Sequence, residues 1–251
     1  MVIKYMIRFL VIGLIIGFSS CESYYYYPTS QNVLRFKDKG DANIAYGTDE
    51  NGYDCYNLGY SITKNVALIS DFKTFHTYPS ESSHKRKYKI GDFLWDNELS
   101  IYKKYRNCIY PAINFGYGFG QFDRNEEYYR LDIYRQFVQP SIGYSNRFFD
   151  FAISSRFSRV HHDLKELKDF DLSTSQSFGE YYDFQDIGKK DFYFFEPAFT
   201  IGAGYKFVKL RFQRISVNKL SSGNLRYYDS NSYLTLNFTF NVNKLLKKDK
   251  N

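Results

Sequence analysis

Arg156 and Glu196 are the charged residues whose surroundings most directly imply a shared site. Each sits inside a segment where large apolar residues alternate with small or polar ones. Phe149, Phe151, Ile153 and Phe157 alternate with Asp150, Ala152, Ser154, Arg156 and Ser158, and Phe195, Pro197, Phe199, Ile201 and Ala203 with Glu196, Ala198, Thr200 and Gly202. Period-two alternation sends one set to each face of a sheet. Counted up from the tight turns that precede and follow them, Arg156 and Glu196 stand at similar heights, about eight and nine residues along. They can therefore meet across neighbouring strands as an ion pair, with Gln139, Arg211 and Gln213 of the same polar set in reach. Such a group could form a charged constriction that filters solutes, or a polar network that fills an interior. The second is the better expectation, because small barrels are packed with side chains.

Other reactive residues offer less. His161, His162 and Asp163 fall where a strand meets a long connection, with His76 at the end of another, so a rim site that activates water is conceivable in outline. Spacing places no second carboxylate there, and Ser154, Ser155 and Ser158 lack the strand–turn–helix setting of a nucleophile elbow. No catalytic residue is assigned. Metal spacing of the Cys-x-x-Cys or His–Cys kind is absent and no cofactor is expected. Cys55 and Cys108 are read as small packing residues, on strands that are not neighbours and with Cys55 about mid-height, so no disulfide is expected. His84, Lys85, Arg86, Lys87 and Lys89 make one connection basic, able to meet phosphate groups or an acidic partner through charge-assisted contacts.

The elements that must hold these residues are strands. Asp41 to Gly47, Gly52 to Ile62, Val66 to Phe72, Phe93 to Lys103 and Ile109 to Gly118 all alternate, and Leu234, Leu236, Phe238, Phe240 and Val242 against Tyr233, Thr235, Asn237, Thr239 and Asn241 form the cleanest case. Leu131 and Ile133 are in odd register whereas Val138, Pro140 and Ile142 are even, so a bulge near Arg135-Gln136 is expected. Pro111 and Pro140 call for a bulge or a place where the missing N–H matters little. About ten strands result, joined in turn by tight turns near 63–65, 104–107, 145–147 and 205–207 and by longer polar connections near 47–52, 78–89, 121–127, 162–190 and 218–230. The chain carries 26 Tyr, 25 Phe and 21% aromatic residues, more ring surface than a soluble domain of this size buries. A membrane barrel places rings outward and in interfacial girdles, and its polar interior and loops account for a mean hydropathy of −0.50. The fold class expected is all-β, an antiparallel up-and-down transmembrane β-barrel of about ten strands occupying 41–242, with short turns and both chain ends on the periplasmic side.

The N-terminal 1–20 places Lys4 and Arg8 ahead of an apolar run from Phe9 to Phe18, the charge and length of a signal peptide. Phe18-Ser19-Ser20-Cys21 resembles the lipobox of bacterial lipoproteins, with Phe18 where Leu is usual; the resemblance implies an acylated Cys21, and a conventional cut near Ser19 or Ser20 is the alternative. Residues 21–40 lack alternation and read as a periplasmic tether, Tyr24 to Tyr27 lying at the membrane interface where rings prefer to sit. Residues 243–251 read as a basic periplasmic tail. The formal charge of +7, or +5 without Lys4 and Arg8, comes with no run basic enough to argue for nucleic acid.

The Cys21 leader, the ITKNVAL turn, INFGYGFGQ, FVQPSIGYSN, FAISSR and FFEPAFTI together resemble the small outer-membrane β-barrel lipoproteins common in Bacteroidota. The resemblance spans nearly the whole mature chain and implies an outer-membrane barrel, lipid-anchored at the N-terminus on the periplasmic side, and no activity. The expected function is that of a non-enzymatic barrel lipoprotein, structural or partner-binding, with a side-chain-filled lumen. The alternative is a narrow porin for small solutes, and a rim hydrolase ranks below both. Expected partners are outer-membrane lipid, and lipopolysaccharide or another outer-membrane protein at the loops.

Overall fold

A computed structural model describes residues 26–33, 36–76, 90–105, 108–124, 129–165, 188–223, 225 and 227–248. Cys21 and the basic connection from His84 to Lys89 lie outside the described residues. The strands are β1 (Asp41–Asp49), β2 (Asp54–Ser61), β3 (Val66–His76), β4 (Ile90–Tyr102), β5 (Ile109–Arg124), β6 (Tyr129–Ser145), β7 (Phe149–Lys165), β8 (Asp191–Tyr205), β9 (Val208–Ser216), the two-residue β10 (Asn218–Lys219) and β11 (Ser230–Asn241), followed by α1 (Val242–Lys248). Each long strand pairs antiparallel with its sequence neighbour, β1 pairs with β11 and β8 with β9, and the sheet closes on itself. The molecule is a ten-strand up-and-down transmembrane barrel, with β10 a short addition to the edge of β8.

Alternation sets the wall. Ile44, Leu58, Leu68, Leu99, Phe115, Ile142, Phe151, Ile153, Phe199, Leu210 and Leu236 all face outward and exposed, so the large apolar set covers the surface a bilayer would contact. Tyr46, Tyr56, Phe72, Phe93 and Phe119 form a row of rings across β1 to β5, successive centroids 5.2, 6.3, 6.2 and 6.2 Å apart. Such a row is half of an interfacial girdle. The connections at one end, which we call the turn end, are 62–65, 103–108, 146–148 and 206–207. At the other, the loop end, 77–89, 166–190 and 217–229 are long, while 50–53 and 125–128 are as short as the turns. The first of these short loop-end connections is closed by Asp49, whose carboxylate accepts the N–H groups of Asn51 and Tyr53 at 2.9 Å each, with Gly52 at φ 82°.

Two expectations about strand detail are corrected. No bulge occurs near Arg135: β5 and β6 stay in one register from Ile109↔Tyr144 to Arg124↔Tyr129. Leu131 and Ile133 instead point into the barrel, fully buried, because the lumen near the loop end is apolar. The bulge that does occur is in β3, between Thr74 and His76. Pro140 needs none, since the β6–β7 ladder passes over Gln139 and Pro140 and resumes in register at Ser141↔Ser154. Cys55 is the second residue of β2, nearer the loop end than mid-height; Cys108 precedes β5 at the turn end, and the two are not joined by a disulfide. Part of the tail is the helix α1, whose first N–H is bonded to the Gly40 carbonyl at 2.9 Å.

The largest correction concerns the presumed tether. Tyr26 to Val33 and Phe36 lie inside the barrel, all buried except Ser30, which is half-buried. Tyr26 and Tyr27 lie in the lumen and not at a membrane interface, because each ring finds aromatic neighbours there and the Tyr26 hydroxyl finds charged partners. Tyr24 and Tyr25 lie outside the described residues.

Candidate functional site

The inward sets of β2 to β9 supply polar side chains to the lumen. Asn57 comes from β2, Asp71 and Lys73 from β3, Asp96 and Glu98 from β4, Asn114 from β5, Arg135 and Gln139 from β6, Arg156 and Ser158 from β7, Glu196 from β8 and Gln213 from β9, all buried. Register decides which of them meet. Asp96 is opposite Gly118 and Gly118 is opposite Arg135, so the ion pair of Arg135 with Asp96 spans the width of β5 above a residue with no side chain. A Cβ on Gly118 would collide with the Asp96 carboxylate, and one on Gly116 with the Phe137 ring. Over that ring lies the Arg156 guanidinium, 4.3 Å from its centroid.

These groups converge on the threaded segment. The Thr29 hydroxyl donates to Asp96 at 2.6 Å and accepts from Arg135 and from Arg156 Nη1, the latter at 2.7 Å. Arg156 also donates to the Ser30 carbonyl at 3.0 Å and to Gln139 Oε1 at 2.8 and 3.1 Å. Gln139 and Asn114 both donate to the Asn32 carbonyl, at 2.9 and 3.2 Å. The Asn32 amide donates to Asp71 and to Glu98, and Asn57 donates to the Asn32 side chain at 2.6 Å. Gln213 pairs with the backbone of Gln31 in both directions, accepting its N–H at 2.7 Å and donating to its carbonyl at 2.8 Å. Lys73 donates to the Pro28 carbonyl at 3.1 Å and holds Asp49 at 2.7 Å. A peptide inside a barrel must have its backbone groups bonded or bury them at a cost of roughly 1–3 kcal/mol each, and the wall bonds the carbonyls of Pro28, Ser30, Gln31 and Asn32 and the N–H of Gln31.

Above this level the segment is sealed by rings. Tyr26 stacks on Phe194 with centroids 4.1 Å apart and planes 7° from parallel, and its hydroxyl donates to Glu196 while accepting from Arg135 at 3.0 Å. Tyr27 packs on Tyr53, Phe122 and Tyr228 at 5.2, 5.2 and 4.7 Å. Leu131, Ile133, Val160 and Phe192 complete the same cluster. At the turn end Phe36 packs with Ala67, Ile69 and Tyr102. Beside Gln31 and Gln213 a residual cavity of about 40 Å³ remains, room for a water or two and not a through-channel.

The expected pair of Arg156 and Glu196 are direct cross-strand partners, with nitrogen and oxygen 4.0 Å apart. Glu196 is held more closely by Tyr26 and by Ser158 at 2.7 Å. Gln139 joins this cluster directly and Gln213 through Gln31. Arg211 does not: it lies nearer the turn end, donating to Asp150 at 3.0 Å and Asn237 at 2.9 Å, with Lys209 on the other Asp150 oxygen at 2.6 Å. Sequence reasoning missed Arg135, Lys73 and the whole of Tyr26 to Val33. Asp96 and Glu98 carried the available signal, two buried acids on the inward set that require cations.

At the rim, His161 and His162 go to opposite faces. His162 is buried edge-on to Phe192, ring centroids 5.8 Å apart. His161 is exposed, its Nδ1 2.9 Å from Asp191 directly across the β7–β8 ladder. Arg159 shares that carboxylate at 2.6 Å. Burial works to raise the Asp191 carboxyl, and hydrogen bonds from Arg159 and His161 overcome it and hold it below the ordinary carboxylate range. Among the described residues no hydroxyl is hydrogen-bonded to His161, and no group of three His, Cys, Asp or Glu is placed to hold a metal ion.

No family model and no curated protein matches the sequence. Solved structures to which the chain is similar include the N-terminal β-barrel domain of Pseudomonas aeruginosa OprF, at 8% identity and a TM-score of 0.30 over 80% of this chain and 98% of that one. Another is the outer membrane enzyme PagL, at 10% identity and a TM-score of 0.31 over 80% of this chain and 99% of that one.

Proposed function

We propose that the chain is a non-enzymatic component of a bacterial outer membrane, a closed barrel that serves as a structural or partner-binding scaffold and conducts no solute. The observation that carries this is the occupied lumen, in which Thr29 to Asn32 is bonded on all sides by Asp71, Asp96, Arg135, Gln139, Arg156 and Gln213. Outer-membrane residence is supported by the outward apolar wall and by three long connections at one end against short turns at the other; by this rule the turn end is periplasmic. The loop end would then present the basic run from His84 to Lys89 to lipopolysaccharide phosphates or to another outer-membrane protein. Against catalysis at the rim stands the sharing of Asp191 between His161 and Arg159, with no nucleophile among the described residues joined to the histidine.

The test is planar-bilayer recording of the purified, folded protein beside a variant lacking residues 26–33. The full chain is expected to give no steady conductance, and the shortened chain to give discrete openings. Steady openings from the full chain would overturn the closed scaffold in favour of a narrow porin.

A further inference from the structure

The threaded segment has a direction as well as a place. Gly40 is at the turn end, its N–H bonded to the carbonyl of Ser61, the last residue of β2, at 2.9 Å. Phe36 packs beside Tyr102, the last residue of β4, with ring centroids 6.1 Å apart. Asn32 and Thr29 are held at mid-height by Asp71 and Asp96. Tyr27 then reaches Tyr53 and Tyr228, both in loop-end connections, and the Tyr228 N–H donates to the Tyr26 carbonyl at 3.2 Å. Followed backwards from Gly40, the chain enters at the turn end and has arrived at the loop end by Tyr26.

Chain length then fixes where Cys21 can be. The five residue steps from Cys21 to Tyr26 span at most ~18 Å when fully extended. Tyr26 is level with Phe194 and Glu196, and from Phe195 a strand rising ~3.3 Å per residue and tilted by ~40° descends roughly 25 Å before it ends at Tyr205. A return to the turn end is therefore out of reach, and the filled lumen offers no second path. The same reach suffices to cross the rim where it is lowest, at the β1–β2 connection, against which Tyr27 already packs through Tyr53.

We infer that the chain passes outward through its own barrel, so that the residues before Tyr26, Cys21 among them, emerge on the cell-surface side of the membrane. An acyl group on Cys21 would enter the outer leaflet, opposite to the periplasmic anchoring that the sequence suggests. The assignment of sides rests on the orientation proposed above, with the turn end periplasmic. The side on which Cys21 lies follows from the path of the chain and is independent of whether its thiol is acylated.

The experiment is site-directed thiol labelling of the full chain on intact cells with a membrane-impermeant maleimide, repeated after the outer membrane is permeabilised. Ser23→Cys reports the segment before Tyr26, Lys250→Cys reports the turn end beyond α1, and the unsubstituted chain gives the background from its own cysteines. Ser23→Cys is expected to react to the same extent before and after permeabilisation, and Lys250→Cys only after it. Reaction of Ser23→Cys only after permeabilisation, with Lys250→Cys behaving alike, overturns the threading. Reaction of Lys250→Cys on intact cells shows instead that the proposed orientation is wrong. A charged epitope inserted between Glu22 and Ser23, read by antibody on intact cells, decides the case in which the maleimide reacts in neither state; antibody binding only after permeabilisation overturns the proposal. Radioactive palmitate reports acylation separately, and its absence alongside surface labelling at position 23 removes the lipid while leaving the path intact.

Discussion

Arg156 and Arg159 lie three residues apart on β7, and alternation sends one into the barrel and the other out of it. The Arg156 side chain is 0% exposed and the Arg159 side chain 53% exposed. Arg159 is paired with the Asp191 carboxylate at 2.6 Å, and both side chains are at least partly exposed. Among the described residues the carboxylate nearest Arg156 is that of Glu98 at 3.6 Å, and its donors go to Gln139, the Thr29 hydroxyl and the Ser30 carbonyl. The shorter ion pair is the weaker structural commitment. In water a short contact replaces solvation that was already good, whereas in the lumen every donor and acceptor that loses its partner has no water to turn to.

The widest separation between the two regions should come from Arg156→Ala. It leaves Asp96, Glu98 and Glu196 without a shared cation and uncovers the Ser30 carbonyl, and removing one member of a buried charged group typically costs about 3–5 kcal/mol. The measurement is the temperature at which the compact, unheated gel band gives way to the unfolded one. A variant as heat-resistant as the parent would mean that the lumen is wet and the threaded segment dispensable.

Thr29→Val should come next, and it isolates the segment from the wall. Valine keeps the shape and removes the hydroxyl that donates to Asp96 and accepts from Arg135 and Arg156. Each of those wall groups then lacks one bond, a loss of about 1–3 kcal/mol. Thermal transition of the folded band again provides the readout, and the double variant with Arg156→Ala should lose less than the sum, since the two residues share a bond. Full additivity would show that Thr29 and Arg156 do not touch in solution.

The same contrast explains what could be read from the chain. Wall strands announce themselves locally: Phe149, Phe151 and Ile153 alternate with Asp150, Ala152 and Ser154, and every neighbour obeys the same rule. Gly116 and Gly118 fall on the inward face, where the Phe137 ring and the Asp96 carboxylate take the space a side chain would need. The contents of the lumen leave no such trace. Tyr26 to Val33 makes its bonds to residues such as Arg156 and Gln213, far away in sequence, and a single extended strand with no partner strand needs no periodic pattern. Leu131 and Ile133 mislead for a related reason: alternation read against a wholly polar lumen puts them outward, whereas these two help to seal the Tyr26 and Tyr27 rings. A wholly polar lumen calls for a bulge at Arg135 and so hides the residue that pairs with Asp96.

Arg159→Ala should have the smallest effect, too small to shift the thermal transition at neutral pH. The Arg159 head group is bathed in solvent, and an exposed ion pair exchanges good hydration for a contact of similar worth. Its pH dependence has a definite sign. Because Asp191 is held below the ordinary carboxylate range by Arg159 and His161, any stability the pair supplies is fully present above that range and disappears as pH falls through the depressed value. Parent and variant should therefore converge in acid and differ, if at all, only at higher pH. A loss matching that of Arg156→Ala would contradict the comparison from the other side, since it would mean that Arg159, His161 and Asp191 form a built site at the rim whose removal the barrel feels.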